Sequence, residues 1–344
     1  MVARKTKGNG EEAMAEVECP AKRVLITGAD GFVGRWLASL LADEGAHVLG
    51  LGLHPPRSAQ PWGRCRYEVC DVTDLEALSH LVGAFKPQWV FHLAAQSSVK
   101  RSWEEPELTY RVALFGQDRL FRALKETGSD PTVIVACSAE EYGMVGEEEL
   151  PITEDRPLCP ASPYALSKVI QDYHALFAFR SLGLKVIRAR AFNVTGPGQP
   201  SHFVVADFAR QIAEAEVGLR EPVIRVGNLE ARRDFCDVRD LVRAYLLLAE
   251  RGRPGEAYNI CSGVDRSIRS VLEGLVAKSR VPIRVEEDPS RFRVVDIPVL
   301  RGDPGKIARE TGWQPSIPFH RTLGDTLEWW REAVGRGFGE GKSG

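Results

Sequence analysis

The chain lacks the patterns that mark several large classes of protein. Its seven cysteines include no CxxC pair, and the closest two are Cys65 and Cys70. An odd, scattered set is no disulfide framework; it reads as the reduced thiols of a cytoplasmic protein. The seven histidines show no HExxH or other ligand spacing, so no metal is expected. No apolar run approaches the roughly 20 residues that span a bilayer. The first 21 residues are polar and lack the apolar centre of a signal peptide, so 1–21 reads as a disordered tail and no membrane partner is expected. Net charge is only −2 at pH 7, with no basic stripe, which argues against nucleic acid as a partner. The Arg232–Arg233 pair suits a small anionic ligand at most. A GKS triplet near the end is no phosphate loop, because Arg336 stands where that loop needs glycine. Residues 334–344 read as a second frayed tail.

What is present is a β-α alternation. RVLITG, HVLGLGL, CRYEVC, QWVFHLA, TVIVACS and LKVIRARAFN read as strands. FVGRWLASLLADEG, DLEALSHLVGAF, LFGQDRLFRALKETG and PYALSKVIQDYHALFAFRSLG read as helices between them. The strands are apolar throughout, as expected when both faces are covered. The spacing predicts an α/β fold: a Rossmann-type doubly wound parallel sheet over 22–195 and a smaller α/β C-terminal lobe over 196–333. DVRDLVRAYLLLAERG and EAYNICS, near 237–262, read as returns to the first lobe. A ligand is expected between the lobes.

TGADGFVG lies between the first strand and the first helix and sets Gly28, Gly31 and Gly34 three apart. The first glycine permits the tight turn, the second lets backbone approach a pyrophosphate, and the third lets helix pack on strand. Phe32 and Val33 open the helix and join the expected dinucleotide site. At the end of the second strand Gly52 stands where an acid would hold the ribose of NAD. That absence, with Arg57 a few residues on, favours NADP(H) over NAD(H). Asp71 and Val72, ending the third strand, are expected to frame the adenine. Leu93, Ala94 and Ala95, ending the fourth, are small enough for close approach to a cofactor.

PYALSK puts Tyr164 and Lys168 four apart on one helix face. A neighbouring ammonium favours the phenolate and eases proton exchange. Ser138 ends the preceding strand and is expected to converge with them. In CSAEEYG, Glu140 could act as a base or merely orient neighbours, and Glu141 reads as solvated.

Together TGxxGxxG, the strand-end serine and YxxxK resemble the extended short-chain dehydrogenase/reductase family, over about residues 22 to 333. ARAFNVTGPGQPSHFV, VGNLEARRDFCDVRDLVRAY, YNICSG and RFRVVDIPVLRGD are similar to its GDP-mannose branch. Within that branch the likeness is greatest to GDP-4-keto-6-deoxy-mannose reductases, with GDP-mannose 4,6-dehydratases close by. The resemblance implies a GDP-linked sugar as substrate and a homodimer. It implies that Asn193 contacts the sugar nucleotide, that Arg233 and Arg293 hold the diphosphate, and that Asp296 meets the nucleotide ribose. Gln96, Ser138 and Val204 complete the implied substrate set. Two positions depart from the pattern or need separate mention. Ala113 stands where many members carry an asparagine, and Tyr142 matches a structural tyrosine.

A reductase forming GDP-D-rhamnose needs one hydride and one proton. A dehydratase needs in addition an acid at position 139, where this chain has alanine, and a base, which Glu140 could supply. The sequence therefore favours the reductase. The dehydratase, another nucleotide-sugar epimerase or dehydratase, and a non-catalytic binding protein of the same fold stand as alternatives.

Overall fold

The computed structural model describes residues 22–56, 61, 65–292 and 295–337. Arg57 and Arg293 lie outside the described residues, as do 1–21 and 338–344. The first half runs β1 (Arg23–Thr27), α1 (Phe32–Asp43), β2 (His47–Gly52), β3 (Arg66–Val69), α2 (Leu75–Phe85), β4 (Trp89–His92), α3 (Val99–Glu104), α4 (Pro106–Arg111), α5 (Gln117–Glu126), β5 (Thr132–Ser138), α6 (Pro163–Leu182) and β6 (Lys185–Ala191). The remainder runs β7 (Asn193–Thr195), α7 (Val204–Glu216), β8 (Val223–Val226), β9 (Arg232–Asp237), α8 (Val238–Arg251), β10 (Ala257–Ile260), β11 (Asp265–Ser267), α9 (Ile268–Val276), β12 (Arg284–Glu287), β13 (Val299–Leu300), α10 (Gly305–Thr311) and α11 (Phe319–Gly335).

Seven parallel strands form the large sheet in the order β3-β2-β1-β4-β5-β6-β10. This is the expected Rossmann-type fold. Alternation along each strand feeds two cores. Val24 and Ile26 of β1 pack with Leu37, Leu248 and Trp313 on the side of α1 and α8. Leu25 points the other way, toward Leu78, Phe121 and Ala175. Strand order reverses between β1 and β4, the place where open α/β sheets bind ligands at their carboxyl ends.

Helix boundaries follow local chemistry. Ser162 accepts from Ala165 N–H at 3.0 Å to open α6, with Pro163 in the first turn, and Gly183 at φ +69° ends it. The helix expected from Leu114 instead begins at Gln117. A π-helical turn, Val112–Gly116, joins it to α4. Gly116 lies against the turn after β3, where a Cβ would sit 2.8 Å from Val72 Cγ2. The short helices α3 and α4 carry too few periodic positions to be legible in the sequence.

In the smaller lobe, β9 pairs antiparallel with β11 and parallel with β7 and β13, and β8 pairs with β12. Phe208, Ile212, Phe235, Leu272 and Leu327 form its core between α7, α9 and α11. Three boundaries differ from expectation. β7, placed before residue 196, belongs to this lobe's sheet, because it pairs with β9. Among the described residues of RFRVVDIPVLRGD the one strand is the two-residue β13. Val334, expected in the second tail, is buried against the lobe core within α11. Between the lobes, fully buried Asp234 accepts from Ser262 N–H at 2.7 Å, its hydroxyl at 2.6 Å, Gly263 N–H at 2.9 Å and Gly302 N–H at 3.3 Å. Among the described residues no helix is long and apolar enough to cross a membrane.

Candidate active site

Gly28 turns the chain at φ +68°, a conformation that disfavours side chains. A Cβ there would lie 2.8 Å from Ala94 N and 2.9 Å from the Leu93 carbonyl carbon, so β1 and β4 ends close on each other. A Cβ on Gly31 would meet the Gly28 oxygen at 3.1 Å, and one on Gly34 the Ala29 oxygen at 2.5 Å. No side chain caps α1. The amides of Phe32 and Val33 therefore open its positive end to an anion. This cradle, narrow and lined by backbone, fits the pyrophosphate of a dinucleotide. Beside it Thr27 Oγ1 contacts His92 Nδ1 at 2.8 Å and accepts from Ala94 N–H at 3.3 Å.

At the end of β2 the missing acid has a structural counterpart. Tyr67 reaches across from β3, and its hydroxyl donates to the His54 carbonyl at 2.7 Å, filling the space a side chain at Gly52 would take. Burial, then the charge of Asp30, pushes its phenol up. Val72 is buried against Gly116. Exposed Asp71 turns back on Thr73, accepting from its amide and its hydroxyl at 2.8 Å each.

Ser138, Glu140, Tyr164 and Lys168 meet at the end of β5. The Tyr164 phenol lies beside the Ser138 hydroxyl. Burial pushes the phenol up and the neighbouring Ser138 hydroxyl pulls it back; Glu140 and Glu141 add to the rise. Lys168 is buried, and its ammonium donates to the Ala136 carbonyl and to Gln171 Oε1, both at 2.8 Å. Helix spacing puts Lys168 and Tyr164 on one face, yet the ammonium is turned to the strand and makes no hydrogen bond to the phenol. Burial lowers the lysine's proton affinity, while Cys137 and Glu141 raise it.

The turn after Ser138 separates three neighbours. Ala139 faces the core with Tyr142, Ile152 and Phe192. Glu140 is half-buried beside Tyr164. Glu141, expected in solvent, is fully buried. Its Oε1 accepts from Ser138 N–H at 2.7 Å. The cause is a polar layer that the sequence could not reveal, since its members are far apart in the chain. Arg190 Nε lies 2.8 Å from Asp172 Oδ2 and 3.7 Å from Glu141 Oε2, and its Nη1 donates to the Tyr142 hydroxyl at 3.0 Å. Tyr142 in turn donates to Asn259 Oδ1 at 2.7 Å and is a core residue. Ala113 is buried within the π-helical turn.

Residues of the expected substrate set lie in two groups. Gln96, after Ala95, binds Ser98 O at 2.8 Å and Thr109 Oγ1 at 3.3 Å, so its amide ties down α3 and α4. In the second lobe Arg233 Nη2 donates to Asp296 Oδ1 at 3.0 Å. Asn228, missed in the sequence, donates to Asp296 Oδ2 at 2.6 Å; its only signal was its place in VGNLEARRDF. Asn193 and Val204 are half-buried at the starts of β7 and α7.

A family model described as GDP-mannose 4,6 dehydratase matches residues 25–326. The chain is 35% identical to the GDP-6-deoxy-D-mannose reductase of Pseudomonas aeruginosa, over 91% of this chain and 98% of that one. It is 29% identical to the GDP-mannose 4,6-dehydratase of Vibrio cholerae, over 86% and 90%. Among solved structures it is similar to RMD from Pseudomonas aeruginosa complexed with NADPH, with a TM-score of 0.79 and 32% identity, covering 91% of this chain and 100% of that one. With a cradle shaped for a dinucleotide and this likeness along most of its length, the chain belongs to the GDP-mannose 4,6-dehydratase family of nucleotide-sugar dehydratases and reductases.

Proposed function

We propose that the protein reduces the C4 keto group of GDP-4-keto-6-deoxy-D-mannose with NADPH, giving GDP-D-rhamnose. The observation that carries this reading is the Tyr164–Ser138 hydroxyl pair with Ala139 turned into the core. When bound, the nicotinamide supplies the hydride. Ser138 donates a hydrogen bond to the carbonyl oxygen, and Tyr164 gives it the proton. Burial favours the neutral phenol, the form a reductase needs at the start. Lys168, with its ammonium on the Ala136 carbonyl, supports the strand end and would hold the cofactor ribose. Arg233 and Asp296 serve the nucleotide once their mutual bond opens, with Arg293 as a second diphosphate ligand. The resemblance to an NADPH complex and the missing acid at Gly52 both support NADP(H).

Glu140, half-buried beside Tyr164, favours a second reading as a GDP-mannose 4,6-dehydratase in which it removes the C5 proton. That route needs an acid at position 139, and alanine cannot serve. Incubation with GDP-4-keto-6-deoxy-mannose and NADPH, and separately with GDP-mannose and NADP+, discriminates the two. Consumption of NADPH only with the keto sugar supports the reductase; conversion of GDP-mannose without net cofactor change overturns it.

The exposed row Leu166, Tyr173 and Phe177 on α6, with Phe115 alongside, fits a homodimer interface. Six free cysteines among the described residues fit a cytoplasmic setting.

A further inference from the structure

The turn that carries Ser138 is held by a fully buried carboxyl group, that of Glu141. Glu141 Oε1 accepts from the Ser138 amide at 2.7 Å, while the Ser138 hydroxyl accepts from the Glu140 amide at 3.2 Å. These two bonds close a capping box around the residue whose hydroxyl meets Tyr164. Capping boxes are ordinarily wet; this one is fully buried. The second oxygen, Oε2, is buried without a hydrogen-bond partner, 3.7 Å from Arg190 Nε. Arg190 is bound through two nitrogens to Asp172, at 2.8 and 3.1 Å. Asp172 lies on α6, one turn beyond Lys168 and two beyond Tyr164. Glu141 thus stands between the strand-end serine and the helix that carries the tyrosine and the lysine.

Resting on the catalytic reading of Ser138 and Tyr164, we propose that Glu141 is a positioning residue: its buried carboxyl couples the Ser138 turn to the Arg190–Asp172 pair and so sets where the Ser138 hydroxyl stands against the Tyr164 phenol. The groups that face it are Cys137 on β5, Tyr164, Lys168 and Asp172 on α6, Arg190 on β6 and Tyr142 on its own turn. Cys137 Sγ and one oxygen each of Glu141 and Asp172 lie within 4.8 Å of one another, and Arg190 brings a positive charge to that cluster. Burial, then Asp172, raises the carboxyl to about 8, against the pull of Arg190, the Ser138 amide and Lys168. Below that pH the group is a neutral acceptor for Ser138. Above it, a carboxylate facing Arg190 pulls on the turn.

Three measurements test this: kcat and KM with the keto sugar, the pH profile of kcat from 6 to 10, and amide exchange of residues 137–143 without substrate. Glu141→Gln keeps the acceptor. It retains kcat within about 3-fold at pH 7 and loses the inflection near 8. Glu141→Leu lowers kcat by up to about 100-fold, the loss expected for a misplacement of about an ångström, with KM and NADPH affinity little changed. Its Ser138 amide exchanges at least about 10-fold faster. Unchanged kcat in a folded Glu141→Leu, or identical pH profiles for Glu141→Gln and wild type, overturns the proposal. Should Glu141→Leu not fold, the Gln profile decides alone. If the wild type turns over neither sugar, the assigned reaction fails, and the exchange rates still decide whether Glu141 anchors the turn.

Discussion

Tyr67 stands where a side chain at Gly52 would go: a Cβ there would overlap its hydroxyl, which is bonded to the His54 carbonyl at 2.7 Å. The end of β2 therefore lacks an acid and also has no room for one. Gly52→Asp must expel the phenol and places a negative charge beside a 2′-phosphate. A like-charge contact at about 4 Å costs about 4 kcal/mol at an effective dielectric of 20. The kcat/KM ratio of NADPH to NADH falls by more than about 10-fold, and the melting temperature drops. Adding Tyr67→Ala restores the temperature and leaves the cofactor shift in place.

Tyr164→Phe removes the proton donor while keeping the ring. We expect kcat to fall by about 10² to 10⁴. NADPH affinity, read by quenching of protein fluorescence, stays within a few-fold of wild type. A residual kcat near wild type would mean that another group delivers the proton.

His92 is buried, and burial, then the charges of Lys168 and His174, lowers it to about 3. The unfolded chain takes up a proton near 6.5 and the folded one does not. Stability is therefore whole above 6.5 and is lost as pH falls toward 3, by up to about 1.4 kcal/mol per pH unit. His92→Gln can still bond Thr27 and does not titrate. Its stability by urea unfolding falls less steeply from pH 7 to pH 4 than that of wild type.

Tyr173 and Phe177 are about half exposed, at 56% and 50%, on one face of α6. If that face joins two copies, Tyr173→Glu with Phe177→Glu shifts sedimentation from dimer to monomer. The folded monomer keeps its near-ultraviolet dichroism.

The readable parts of the sequence were those with local causes. Strand and helix alternation, the glycines of TGADGFVG and the serine ending β5 depend on neighbours a few residues away. The unread parts depend on meetings across the fold. Glu141 is the same residue type as its neighbour Glu140, and only the arrival of Arg190 and Asp172 beneath it explains its burial. Tyr67 fills the space at Gly52 because β2 and β3 run in parallel register, with Gly50 opposite Tyr67. Lys168 and Tyr164 share a helix face as their spacing requires. Whether the ammonium reaches the phenol is decided by a carbonyl of β5, which spacing cannot show.

Asp234 gathers donors from the stretch after β10 and from Gly302 beyond β13, while sitting on the central strand of the smaller sheet. Loosening either half strands a desolvated anion against broken amides, so neither half can let go first. The two lobes should melt as one calorimetric event. With Asp234→Ala the trace should split in two, the smaller half leaving at the lower temperature.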